Sequence, residues 1–450
     1  MSTGLIAIII IAIIIVGAIC TRRCAEFLFL GSLLGAIVLF RQNALSQWIA
    51  ILQQAVADNA WLWLVCGLFG SLIALLQASK GTLGFSKIIA KLCTNERRTL
   101  LTSFILGILL FVDDYLNVLT IGVCMKGVFD ERKLPRESLA FILNSTGAPV
   151  CVLLPVSTWA VFFGSLFYEE EIISSQYSSA IDAYIHAIPF SFYPILALIV
   201  VFLFTIGVMP KLGAMKKAYR RVEETGQVYS DHSRKFNHES QPGYQGEGNV
   251  WNFLIPMVVL VVIGVITTDI LLAVVVALIV CLVLYLPTRL MTMEEFFNLT
   301  VKGFGDMLSI FFMLVAAFSL KEVCDMMGLT EFLVELVQPI LSPALFPVIA
   351  FLLLGVLAFI TGSNWGMSAV VTPILLPMCA ALGANPVLTM AAIISGGTFG
   401  SHACFYTDAT ILSANSAGID NMEHALSQFP YVVIAAALSV VGFLVAGFVL

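Results

Sequence analysis

The sequence predicts an all-α polytopic membrane protein, and three observations carry that prediction. Of the 450 residues, 60% are hydrophobic and 11% charged, where a soluble domain carries about 25% charged residues. Apolar runs of roughly 18 residues or more, long enough to cross a bilayer as a helix, recur along the chain. The few polar residues inside those runs fall at corresponding places in the two halves. No nucleic-acid partner is expected, and the chain has no Gly-x-x-x-x-Gly-Lys loop for ATP-driven work. Ten cysteines are scattered without a Cys-x-x-Cys and read as small packing residues.

The elements follow in order. Residues 5–19 are apolar and precede Arg22-Arg23, which reads as a first span and not a removable leader. Spans at 3–19, 25–40 and 60–78 open the chain. Residues 99–126 as one helix would measure about 42 Å, too long for a hydrocarbon core of about 30 Å. Charge counting favours a re-entrant hairpin there. With that hairpin and the N-terminus outside, 20 of the 22 Lys and Arg lie on the cytoplasmic side, all but Arg41 and Lys321. A full crossing would leave 8 inside and 14 outside. A broken span at 137–167 and a span at 185–209 complete the first half, residues 1–210. Residues 211–250 are polar and read as a solvated cytoplasmic linker. The second half, residues 251–450, holds spans at 252–267, 270–286 and 304–324, a hairpin at 345–382, a broken span at 386–414 and a last span at 429–450. The result is a multi-pass protein of the cell inner membrane, with the lipid bilayer as its partner.

The halves echo each other with opposite hand. Gly81-x-x-x-Phe85 matches Gly328-x-x-x-Phe332, and Thr146 and Thr158 recur as Thr398 and Thr410, each 252 residues later. By the charge count, spans 60–78 and 304–324 run in opposite directions. Two inverted repeats are therefore predicted, each with five transmembrane crossings plus one re-entrant hairpin, and with broken helices. Inverted repeats with discontinuous helices are the mark of secondary transporters.

Four polar interruptions carry the chemistry. The first is Asp113-Asp114-Tyr115-Leu116-Asn117. A carboxylate at membrane depth costs on the order of 2.5–3.5 kcal/mol, so two in succession call for a cation, a proton or a water-filled cavity. The second runs from Asn144-Ser145-Thr146 through Pro149 to Ser157-Thr158-Trp159. The third is Thr361-Gly362-Ser363-Asn364-Trp365-Gly366. The fourth runs from Ser395-Gly396-Gly397-Thr398 through Ser401-His402 to Thr407-Asp408-Ala409-Thr410. Irregular backbone at membrane depth is tolerated only when it is buried in protein or lines a cavity. Unwound carbonyls with hydroxyl and amide oxygens suit Na+, whereas helix N-termini suit an anionic group. Na+ is expected near Asp113, Asp114, Thr146, Asn364 and Thr398. Tyr115, Trp159, Trp365, Phe405 and Tyr406 are candidates to line the cavity. Asp306, Lys321, Glu322 and Asp325 lie near the ends of a span, where long charged side chains reach water, and read as structural. Two adjacent carboxylates cannot both ionise cheaply, so a proton and Na+ can compete for one site.

At these four stretches the chain resembles the NhaC family of Na+/H+ antiporters. The likeness runs from about residue 60 to 420, through Asp113-Asp114-Tyr115-x-Asn117, Ser145-Thr146-x-Ala148-Pro149, Ser157-Thr158-Trp159, Gly400-Ser401-His402 and Asp408-x-Thr410. The resemblance implies a dimeric scaffold, a mobile transport domain that moves like an elevator, and no cofactor beyond Na+ and H+ as transported or coupling ions. Carried over by position, it marks Asp113, Asp114, Asn117, Ser145, Thr146, Thr158, Ser363, Asn364, Thr398, His402 and Asp408 as site residues. Two departures stand out: Asn144 replaces an acid found in many relatives, and Ala403-Cys404-Phe405-Tyr406 replaces a Cys-Ser-Pro stretch. The same family resembles carriers of malate, lactate and amino acids, so a small organic acid or amino acid is the alternative substrate.

Overall fold

The computed structural model describes residues 3–21, 24–58, 60–81, 84, 92–111, 114–155, 157–237, 248–267, 269–329, 332, 335 and 341–450. Among them all regular structure is helical and no strand occurs. Apolar side chains face outward along many helices, as a lipid-facing surface requires.

Asn364–Leu382 and Asn421–Val449 are each long and apolar enough to cross a bilayer alone. Two further pairs reach that length across a bend, Ala180–Phe190 with Phe192–Thr205 at 52° and Pro386–Ala403 with Asp408–Ala417 at 46°. The run Ala25–Asp58 also meets the length, but it is not one rod. Arg41 adopts a φ of 48°, and Trp48 Nε1 donates to Ser32 Oγ at 3.0 Å. Sixteen residues of straight helix would separate those atoms by about 24 Å, so the chain reverses at Arg41.

Small residues set the closest helix contacts, as expected where lipid removes the hydrophobic drive between helices. Helix Phe346–Thr361 packs along Pro386–Ala403 through Gly355, Gly396 and Gly400. A Cβ on Gly400 would lie 2.5 Å from the Gly355 carbonyl, and one on Gly396 2.7 Å from that of Phe351. This corrects the fourth interruption. Residues 395–402 stay helical, because their glycines serve close packing, and the break falls later, at Cys404–Thr407.

The other breaks lie where the polar clusters were noted. Helix Glu96–Leu109 ends before Asp114–Glu131 begins. Helix Arg136–Thr146 stops at Gly147, a short turn Ala148–Cys151 follows, and Thr158–Tyr168 resumes with Ser157 as its cap. Between Phe346–Thr361 and Asn364–Leu382 only Gly362 and Ser363 are non-helical, and Gly362 takes a φ of 66°. A left-handed residue there favours glycine.

Much of the stretch expected as a solvated linker is built. Helix Gly213–Thr225 and a 3-10 turn at Asp231–Phe236 lie across the ends of two other helices. Arg221 grips buried Glu137 with two bonds of 2.8 and 3.0 Å. Buried Arg136 holds Asp130 at 2.8 and 2.7 Å and also donates to Asn237. Asn237 Nδ2 in turn donates to the Gly418 carbonyl at 2.7 Å, and Ser233 Oγ to Glu423 at 2.7 Å. Residues 221–237 thus strap the start of Arg136–Thr146 to the turn before Asn421–Val449. Composition hid this, since the partners lie far off in sequence.

Candidate functional site

The breaks converge on one another. Tyr115 OH donates to Asp408 Oδ2, joining the helix Asp114–Glu131 to Asp408–Ala417 across 293 residues of sequence. Asp408 Oδ1 accepts its neighbour's N–H, from Ala409, at 2.7 Å. Helix Asp408–Ala417 starts on a cap from Thr407, whose Oγ1 accepts from Thr410 N at 3.2 Å.

Asn117 is the most constrained side chain at the first break. Its Nδ2 faces three carbonyls, those of Gly107 at 2.6 Å, Leu110 at 3.1 Å and Thr146 at 3.1 Å. Only the NH2 end can face three acceptors, so the amide's orientation is fixed. Its Oδ1 is then a fully buried acceptor with no hydrogen-bond partner. Thr146 Oγ1 donates to Ile142 O at 2.8 Å. That spends its proton and leaves its lone pairs free. Gly107 makes room for this hydroxyl, since a Cβ there would lie 2.2 Å from Oγ1. Asp114, 4% exposed, opens the next helix and accepts from Trp159 Nε1 at 3.2 Å. Asp113 lies outside the described residues.

The second break looks alike but bonds differently. Thr398 Oγ1 donates to Ile394 O at 2.7 Å, as Thr146 does in its own helix. Ser363 caps its helix by accepting from Gly366 N at 3.2 Å. Asn364 Oδ1 accepts from Ser368 Oγ at 3.1 Å and faces Gly397, where a Cβ would sit 2.0 Å away. Its Nδ2 is buried without a partner. Lys321 lies against this break: a Cβ on Gly366 would be 2.6 Å from its Cε and 3.4 Å from its Nζ. The ammonium pairs with Asp325 at 2.9 Å.

Two tryptophans connect the breaks. Trp159 stacks on Trp365 with ring centroids 4.0 Å apart, and Phe162 meets Trp365 edge-on. The other two aromatic candidates pack and do not open a space. Tyr406 is fully buried, covers Gly362 and donates to the Ile360 carbonyl. Phe405 wedges between Phe359 and Phe429.

A second polar layer lies behind. His402 Nε2 meets Ser145 Oγ at 3.2 Å and its Nδ1 meets Tyr193 OH at 2.8 Å. Asn144 Nδ2 reaches Thr410 Oγ1, His424 Nε2 and Gln428 Oε1 at 3.1–3.3 Å. Gln428 Nε2 donates to the His402 carbonyl at 2.7 Å. Ser401 is buried, and its carbonyl accepts from Thr407 Oγ1. Ser157 caps its helix through Ala160 N at 3.1 Å. The Thr158 side chain is outside what is described.

Sequence reasoning missed Tyr193, His424 and Gln428 in this layer. Tyr193 carries no signal in its apolar run. His424 and Gln428 do: they sit four apart on one helical face, but the last span was started at 429. Lys321, expected as structural, pairs with Asp325, and its stem lies against Gly366.

A family model described as the Na+/H+ antiporter family matches residues 150–448. An uncharacterized protein of Haemophilus influenzae is 26% identical over 483 aligned positions, covering 96% of this chain and 89% of the relative. The arginine/ornithine antiporter ArcD of Halobacterium salinarum is 28% identical over 160 residues, 35% of this chain and 32% of its own length. The malate-2H(+)/Na(+)-lactate antiporter of Bacillus subtilis is 25% identical over 155 residues, 33% of each chain. Neisseria gonorrhoeae MtrF, whose structure is described as illuminating a class of antimetabolite efflux pumps, superposes at a TM-score of 0.39 with 14% identity, over 100% of this chain and 96% of its own. The chain belongs to the Na+/H+ antiporter family, a membrane-embedded secondary transporter.

Proposed function

We propose that this transporter exchanges Na+ for H+ by alternating access, with two inverted repeats of five crossings and one hairpin each, and with the strap on the cytoplasmic side. The observation that carries the proposal is the buried, partnerless Oδ1 of Asn117. An orphaned acceptor is costly unless a donor or cation meets it, by about 1–3 kcal/mol. Here Asn117 also bonds the Thr146 carbonyl and lies in the first turn of the helix that Asp114 opens. Hard oxygen donors with one or two carboxylates suit Na+. A proton on the Asp113–Asp114 pair removes the charge that holds the ion, which couples the two. The Tyr115–Asp408 bond ties the two halves so that they move as one body.

The test is Na+-driven proton movement in proteoliposomes with a lumenal pH dye and no organic solute. Wild type acidifies or alkalises the lumen according to the Na+ gradient, and Asp114→Asn and Asp113→Asn do not. Unchanged exchange in both variants removes the assignment. A second reading, cation-coupled carriage of a small organic acid or amino acid, is favoured by one observation: the second break leaves a donor unpaired, not an acceptor. The curated relatives named as antiporters of arginine and ornithine, and of malate and lactate, are consistent with it.

A further inference from the structure

We infer that Arg136 is a positioning residue for transport: from the far ends of three helices it sets how their site-bearing ends meet. The inference rests on the Na+ site proposed above and adds a residue that lies outside that site.

Three helices bring side chains to the first break and its partners, each at one end only. Asp114–Glu131 carries Asp114, Tyr115 and Asn117 in its first turn. Arg136–Thr146 carries Asn144 and Thr146 in its last turn, and Asp408–Ala417 begins with Asp408. At that end the three are tied pairwise. Tyr115 bonds Asp408, Asn117 Nδ2 meets the Thr146 carbonyl at 3.1 Å, and Asn144 Nδ2 meets Thr410 Oγ1 at 3.3 Å. Their other ends meet at one guanidinium, in a residue only 5% exposed. Arg136 Nε and Nη2 donate to the two oxygens of Asp130, near the end of the first helix, at 2.8 and 2.7 Å. Arg136 Nη1 donates to Asn237 and to the Gly418 carbonyl at 3.4 Å, just past the end of Asp408–Ala417. The guanidinium carbon lies 4.6 Å from the centre of the Tyr229 ring, and the Arg136 N–H donates to the Val228 carbonyl at 3.0 Å. The strap thus closes the cage around this side chain.

The cage does more than hold a charge. Arg136 is the first residue of its own helix, where a cation is electrostatically unfavourable. What offsets that, Asp130 and the negative end of Asp408–Ala417, belongs to the other two helices. The guanidinium fork is planar and rigid, so it fixes angle and register as well as distance. Gly418 leaves no slack. It takes a φ of 70°, and a Cβ there would lie 2.8 Å from both Arg136 Nη1 and Asn237 Oδ1. A slip at Arg136 is carried along its helix to Thr146, about 15 Å away. One residue of slip is about 1.5 Å, and a binding constellation tolerates about 0.5 Å. The neighbouring pair Arg221–Glu137 joins the strap to only one of the three helices, so it does not set their register.

The test compares Arg136→Lys with Arg221→Lys in the full-length protein. Each keeps the charge and loses the fork. One readout is the Na+ concentration for half-maximal exchange in proteoliposomes, taken beside the maximal rate. The other is amide hydrogen exchange over residues 114–118 and 408–412, in detergent without Na+. Arg136→Lys should raise the half-maximal Na+ concentration about two- to thirtyfold, the range for coupling from outside a site. It should also speed amide exchange in both stretches. Arg221→Lys should lower the unfolding midpoint and leave both readouts unchanged. Asn237→Ala, which removes one partner of the fork, should shift both readouts in the direction of Arg136→Lys, and it decides if Arg136→Lys does not fold. Equal effects of Arg136→Lys and Arg221→Lys overturn the inference, because each pair then merely holds the fold together. No change in either readout with Arg136→Lys also overturns it and leaves the ion site standing. If Na+ moves no protons in wild type, the ion site fails. Faster amide exchange at the site ends in Arg136→Lys, and not in Arg221→Lys, then still supports the positioning role.

Discussion

The first and second breaks share a construction and part in their chemistry. Each follows a helix that ends early, each has a threonine turned back on its own helix, Thr146 and Thr398, and each places an asparagine against a glycine-bearing helix. At the first break the asparagine spends its NH2 on three carbonyls and leaves an oxygen unpaired; at the second it spends its oxygen and leaves the NH2. An acid stands next to the first break and a lysine next to the second. A repeated sequence pattern therefore leaves an unpaired acceptor at one break and an unpaired donor at the other. What differs is not the residue type, since both are Asn, but what claims the amide: three backbone carbonyls at Asn117, the Ser368 hydroxyl at Asn364.

The comparison breaks first at Asp114. Replacing it with Asn keeps the size and the Trp159 contact but removes the charge. Loss of one partner from a buried charge site costs about 3 kcal/mol or more, or roughly 100-fold in affinity. Na+-dependent flux should fall by at least that factor, measured in proteoliposomes at fixed protein content. At the other end, Asn364→Ala should leave Na+-driven proton flux within about threefold, if the ends are as separate as their unpaired atoms imply.

The next effect is on stability and has opposite expectations at the two asparagines. Asn117→Ala strips a donor from three buried carbonyls, and unmet groups of that kind cost about 1–3 kcal/mol. Asn364→Ala removes an amide half of which is already unmet, so its cost is near zero. Chemical unfolding in mild detergent reads the difference. Equal losses in the two variants would mean that the asparagines bond alike and that the contrast is false.

How much of this was legible depended on whether the signal was local. Breaks at Gly147 and Gly362-Ser363 were readable, because glycine beside hydroxyl and amide residues loosens a helix wherever it occurs. The cluster Ser395–His402 was readable as special but not as to why: the same glycines that unwind a chain also let two helices approach, and only the partner, Gly355, decides. Pairings across the fold were silent. Nothing near Tyr115 announces Asp408, and nothing near Glu137 announces Arg221. The polarity of Asn117 was equally hidden, since it is set by carbonyls whose positions only the folded backbone supplies.

Trp159 offers a smaller handle on the link between the ends. Trp159→Phe keeps an aromatic face for Trp365 but loses the N–H that meets Asp114. A hydrogen bond to a charged group contributes about 1.5–3 kcal/mol. The unfolding midpoint should fall, and the apparent Na+ affinity should drop about tenfold with it. A drop in midpoint without a change in Na+ dependence would make Trp159 a packing residue only.

The smallest effect is the one that most sharpens the contrast, because it uses the residues the breaks share. Thr146 and Thr398 each donate to a carbonyl four residues back, at 2.8 and 2.7 Å. Valine has nearly the same shape and cannot make the bond. That carbonyl keeps its helical N–H, so Thr146→Val and Thr398→Val should each cost only about 0.5–1.5 kcal/mol, and by similar amounts. Function should not follow stability. At the first break the proposed site counts the threonine oxygen among the cation's ligands, so its loss should weaken Na+ binding. Thr398 follows Gly397, which packs on Asn364 at the second break, and the proposed cation site does not reach it. Thr146→Val should therefore raise the Na+ concentration for half-maximal exchange several-fold, and Thr398→Val should leave it unchanged. If both variants shift it equally, Na+ is shared between the breaks and the division into two ends is wrong.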